Sequence, residues 1–160
     1  MKLDKAIGEV QDAEADLAKE LRRAGERHAV EHDVYHLGHT LARQCAEHVE
    51  RLAPFAERYG VTPRKVADSP GLLDALRHRS AQLIGRSEVS GLLLLHDLRD
   101  LYLGAQEAEI GWVILAQAAQ AARDGELLQA IGPCHEAAET RAKWLRTRIK
   151  VTAPQVLATG

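Results

Sequence analysis

Aromatic residues are scarce in this chain: they make up 4% of 160 residues, with a single Phe. A core must therefore be assembled from Leu, Ala, Val and Ile. That composition suits helices better than sheets, which favour aromatic and β-branched side chains. Cysteine is scarcer still. Two residues, Cys45 and Cys134, exclude a disulfide-stapled scaffold and read as packing residues in a reducing compartment. Long hydrophobic runs are missing too, since stretches such as Leu92–Leu95 fall far short of a membrane span. The opening Met1-Lys2-Leu3-Asp4-Lys5 enters a charged amphipathic segment, which predicts no secretory leader. Nor does one sign of charge dominate: 21 basic residues face 23 acidic ones, a net charge of -2. Such a balance gives no general field for nucleic acid or for an anionic membrane. Gly-rich phosphate loops, nucleophile elbows and CxxC motifs are also missing.

What remains is 46% hydrophobic and 28% charged, arranged with helical periodicity. The expectation is a cytoplasmic all-α protein, with residues 1–150 as one domain and 151–160 as a frayed tail. Leu3, Ile7, Val10, Leu17, Leu21 and Ala24 recur in three- and four-residue steps, predicting a first helix to His28 capped by Asp4. Asp33 is placed to cap a second helix carrying Val34, Leu37, Leu41, Cys45, Leu52, Phe55 and Tyr59. Pro54 would kink it and Gly60 would end it. Ser69-Pro70 then predicts a short helix over Leu72–Ile84, followed by a break across Gly85–Gly91. A third long helix is expected on the stripe Leu95, Leu98, Tyr102, Ala105, Trp112, Ala116 and Ala119. After a turn at Arg123-Asp124-Gly125 comes a fourth, on Leu128, Ile131, Ala138, Ala142, Leu145 and Ile149, with Pro133 near its start. Two short turns and one long link spell a four-helix bundle.

Each stripe is interrupted by one ionisable residue: Glu14, His48, Glu109 and His135, in chain order. At 1.5 Å per residue, Glu14, His48 and His135 fall about 15 Å from one end of the bundle. Glu109 falls about 23 Å from that end if the long link crosses over. An unpartnered carboxylate in a dry core is costly, and two carboxylates with two imidazoles can hold a divalent metal. Such a mixed nitrogen and oxygen set suits Fe, Mn or Zn. The competing reading is structural, with each residue paired to a neighbouring Arg, facing water or lining a dimer interface.

His39-Thr-Leu-Ala-Arg-Gln-Cys-Ala-Glu-His48, Gln106-Glu-Ala-Glu-Ile-Gly-Trp112 and Cys134-His-Glu136 with Trp144 resemble the second, third and fourth helices of small bacterial members of the ferritin-like superfamily. The resemblance implies a four-helix bundle, often with a di-iron or di-manganese centre and ferroxidase, peroxidase or oxygenase chemistry. Other members carry no metal. It also brings in Glu107 and Glu139 as alternative ligands. The superfamily pattern uses Glu-x-x-His on two helices, whereas here Cys45 and Gly132 stand three residues before His48 and His135. One metal, a rearranged pair or no metal all fit those departures.

Three further clusters stand out. His28, His32, His36 and His39 crowd the first turn, as a solvated end that titrates or as an adventitious metal site. His96, Asp97 and Asp100 offer an acid–base group, although adjacent helical residues face different ways. Arg141, Lys143, Arg146, Arg148 and Lys150 read as a solvated basic helix end, with a phosphate contact as the alternative. The resulting expectation is a homodimeric metal-handling bundle, or else a non-enzymatic interaction protein or small-ligand carrier of the same fold.

Overall fold

The computed structural model describes residues 2–66 and 88–159. Within them lie four helices and no strand: α1 (Leu3–Arg27), α2 (His32–Arg58), α3 (Glu88–Ala121) and α4 (Gly125–Leu157). The helix expected over Leu72–Ile84 lies outside the described residues. Gly91, expected in a break, is already within α3.

Local signals decide most of the boundaries. Asp124 caps α4, its carboxylate accepting the Leu127 amide at 3.1 Å. Gly60 ends α2 with a positive φ of 74°, a conformation costly for any residue with a Cβ. Two expected caps are not made. Asp4 and Asp33 sit inside the first turns of α1 and α2, and neither N-cap position makes a side-chain cap bond. Asp33 instead accepts from Arg148 Nε at 2.7 Å. Helices α2 and α4 continue without interruption across Pro54 and Pro133. The last helix also continues past residue 150, because Thr152 is buried and bonded to Arg148 while Val156 packs beside Gly91.

Contacts along the helices fix their directions. Helices α1 and α2 are antiparallel, with Gly8 beside Val61 at one end and Gly25 against Gly38 toward the other. Leu17 lies beside Gly104 and Val10 beside Gly111, so α3 is antiparallel to α1. Arg58 at the end of α2 reaches Asp124, while Asp33 at its start reaches Arg148, so α2 and α4 are antiparallel as well. Helices α2 and α3 are therefore parallel, and the link between them joins opposite ends of the bundle. Its described start climbs α1: Arg64 pairs with Asp12 at 2.7 Å and Asp16 at 3.0 Å.

Two apolar clusters fill the interior. One contains Leu17, Leu21, Leu98, Leu101 and Leu145; the other contains Ile7, Val10, Leu52, Leu115 and Ile131. Between Val10 and Leu17 on α1, and between Ala138 and Ala142 on α4, the core turns polar. That layer is built around Glu14.

Candidate functional site

Glu14 is 0% exposed, in the middle of α1. Its carboxylate is surrounded by donors from the other three helices. Arg141 of α4 grips it with both terminal nitrogens, NH2 to Oε1 at 2.7 Å and NH1 to Oε2 at 2.8 Å. Trp112 Nε1 of α3 donates to Oε1 at 2.7 Å. From α2, His48 places Nδ1 at 3.3 Å from the same oxygen, and because an ionised carboxylate only accepts, Nδ1 carries the proton. The His48 ring also meets the edge of Trp112 at 5.8 Å between centroids.

Burial works against the Glu14 charge, but the His48 and Arg141 contacts outweigh it and lower its pKa to about 2. Burial equally opposes the Arg141 charge, and its Cys45 and Glu14 neighbours reverse that effect and push its pKa up. Arg141 NH1 also approaches Cys45 Sγ at 3.3 Å. Burial pushes the Cys45 thiol well above its ordinary range and Cys134 up to about 11. Neither is a thiolate nucleophile at neutral pH.

A core metal does not fit this layer. Both carboxylate oxygens already accept from the Arg141 guanidinium, which supplies the positive charge that a metal would otherwise have to supply. The expected four-ligand set is divided accordingly. Glu14 and His48 meet in the core, as their stripes predict, whereas Glu109 and His135 lie together at the rim between α3 and α4, half-buried. On α3 the buried series is Leu94, Leu98, Leu101, Ala105, Ala108, Trp112, Leu115 and Ala119. On α4 it is Leu127, Ile131, Cys134, Ala138, Arg141, Ala142, Leu145 and Thr152. Ala108 and Cys134 thus take the inward positions expected for Glu109 and His135. Arg141, expected on a solvated basic end, is among the most deeply buried side chains. Its signal was there in the sequence: it falls on an unbroken four-three spacing from Leu127 to Leu145.

At the rim, His135 Nε2 lies 3.4 Å from Glu109 Oε1 and 3.5 Å from Glu139 Oε1. One ligand atom from each of the three residues falls within 4.8 Å of the other two. A tetrahedral zinc site with bonds near 2.1 Å has ligand–ligand edges of about 3.4 Å. His135 and Glu139 are spaced i, i+4, one above the other on a rigid helix, and Glu109 faces them from α3. Two edges of the set, both to His135, stand close to ligand spacing. Glu107 is exposed and outside it.

The other clusters resolve structurally. His28 is buried and its Nε2 lies 2.7 Å from Asp97, which Arg27 also contacts. Asp97 is therefore engaged with α1, while its neighbour His96 is exposed. His39 faces buried Glu26 at 2.8 Å, and His32 and His36 remain exposed. Among the described residues no helix is long and apolar enough to cross a membrane. The chain matches no family model, no curated protein and no solved structure.

Proposed function

We propose that this chain is a ferritin-like bundle whose central metal position has been taken over by a buried ion pair, and that it binds a divalent first-row metal, such as Zn, Mn or Fe, at its rim. The observation carrying this reading is the spacing of Glu109, His135 and Glu139, two edges of which match a tetrahedral metal site. Three protein ligands leave a coordination position open. Two carboxylates and a neutral imidazole balance the charge of a dication. The crossover topology and the seam carboxylate of α1 support the superfamily reading.

Elemental analysis after equilibrium dialysis against Zn²⁺ tests it. Wild type takes up one equivalent, His135→Ala loses it, and His48→Ala keeps it. Absence of uptake by wild type, or uptake that survives His135→Ala, overturns the reading.

A second reading is favoured by α3, which exposes Leu103, Ile110 and Ile114 to 55%, 52% and 53%. These positions are seven and four residues apart on one helix, a spacing that suits packing against another helix, and residues 110–122 carry no charge. A second copy of the chain is the occupant that this apolar face fits, with exposed Glu107 on the same face between Leu103 and Ile110. Light scattering should then report a dimer that Ile110→Lys converts to monomer. A monomeric wild type overturns this second reading and leaves the first untouched.

A further inference from the structure

Beyond the rim ligands, the groove between α3 and α4 continues as a pocket of about 230 Å³ lined by Gln106, Glu109, Glu139, Ala142, Lys143 and Arg146. Its two ends differ in charge. Glu109 and Glu139 stand at one, and Lys143 and Arg146 follow along α4, one and two turns after Glu139. Arg146 stacks over the Tyr102 ring at 5.3 Å and donates to the Tyr102 hydroxyl. Gln106 Nε2 donates to the same oxygen at 3.1 Å. With both lone pairs taken, that hydroxyl keeps its own proton to donate. Lys143 makes no ion pair among the described residues.

We propose that this pocket binds a phosphate-sized oxyanion as the exogenous ligand of the rim metal; the proposal rests on the metal-binding reading above. A dication held by two carboxylates and one neutral imidazole is locally neutral and retains an open position. The ammonium of Lys143 and the guanidinium of Arg146 then leave the groove net positive. An anion with one oxygen on the metal and others turned toward Lys143, Arg146 and the Tyr102 hydroxyl satisfies both. Size selects the class: 230 Å³ is several times the roughly 30 Å³ share of one water and below the 300–1,000 Å³ typical of drug-sized ligand sites. The same two basic residues belong to the cluster for which the sequence leaves a phosphate contact open.

The test is calorimetric titration of inorganic phosphate into Co²⁺-loaded full-length protein at low ionic strength, with the cobalt absorption band followed in parallel. Phosphate should bind and shift the band. In the Lys143→Gln/Arg146→Gln variant, Co²⁺ affinity should be retained while phosphate binds about tenfold more weakly. Metal-free protein should bind phosphate more weakly than loaded protein by a similar factor. Equal phosphate affinity in the double variant or in metal-free protein, or an unmoved cobalt band, overturns the oxyanion proposal alone. Failure of Co²⁺ to bind overturns the metal reading and this proposal with it.

Discussion

Replacing Arg141 by methionine tests whether the core is organised around Glu14. Methionine keeps an unbranched chain in the same space but removes both guanidinium contacts, at 2.7 and 2.8 Å, from a carboxylate with no solvent exposure. Only Trp112 and His48 then remain to solvate the charge. Removing one member of a buried pair costs about 3–5 kcal/mol, a large share of the roughly 5–15 kcal/mol that holds a domain together. The urea midpoint of Arg141→Met should therefore fall by about 2 M at neutral pH for an m-value near 2 kcal/mol/M.

The pH dependence should also change sign. In wild type the Glu14 pKa is depressed from 4.5 to about 2. Its contribution is present above pH 4.5 and is lost as the pH falls toward 2, on the order of 3 kcal/mol over that window. Without Arg141, burial dominates and raises the pKa above its unfolded value, so this group's contribution is lost as the pH rises. The gap between variant and wild type should then narrow on acidification. Glu14→Gln/Arg141→Met, which removes both charges, should be closer to wild type than Arg141→Met is. Urea unfolding followed by circular dichroism from neutral pH down to pH 4 reads all three. A loss under about 1 kcal/mol for Arg141→Met, or a gap that widens on acidification, refutes the argument.

Gly38→Ala should destabilise the bundle by about 1–3 kcal/mol, since its new Cβ would lie 2.8 Å from the Leu21 carbonyl oxygen, where α1 and α2 touch backbone to backbone; an unchanged urea midpoint contradicts this. Asp124→Ala should cost about 1 kcal/mol or more in thermal unfolding, because Asp124 both caps α4 and accepts the Tyr59 hydroxyl at 2.6 Å. Asp124→Asn should retain part of that contribution. Saturating Zn²⁺ should raise the melting temperature of wild type, by the equivalent of about 2.7 kcal/mol at a hundredfold excess over Kd. The same Zn²⁺ should leave Glu139→Ala/His135→Ala unmoved, and equal shifts in both proteins would remove the rim site.

On α1 and α2 the core face was legible because a single stripe fits the spacing, and Glu14 and His48 were found on it. On α3 and α4 two neighbouring stripes fit equally well over short stretches. Glu109 fits the local steps between Ala105 and Trp112, as does Ala108, and His135 and Cys134 compete in the same way. Apolarity favours Ala108 and Cys134, but both are small, and a stripe drawn over a few residues accommodates Glu109 and His135 as interruptions. Only the longer four-three series, Leu94 to Ala119 and Leu127 to Leu145, selects the inward set, and it requires admitting a charged residue into the core.

The amino-acid order by itself determined four long helices, the long central link, and a carboxylate and an imidazole on the inner faces of α1 and α2. These follow from periodicity and turn chemistry, which act over a few residues. The tertiary structure decided what Glu14 meets. Arg141 lies 127 positions away, mid-helix in a basic stretch that local reasoning places in water. Its burial is tolerated only because an opposite charge stands 2.7 Å from its guanidinium. The same packing turned Glu109 and His135 outward, where they could meet Glu139 instead of the core.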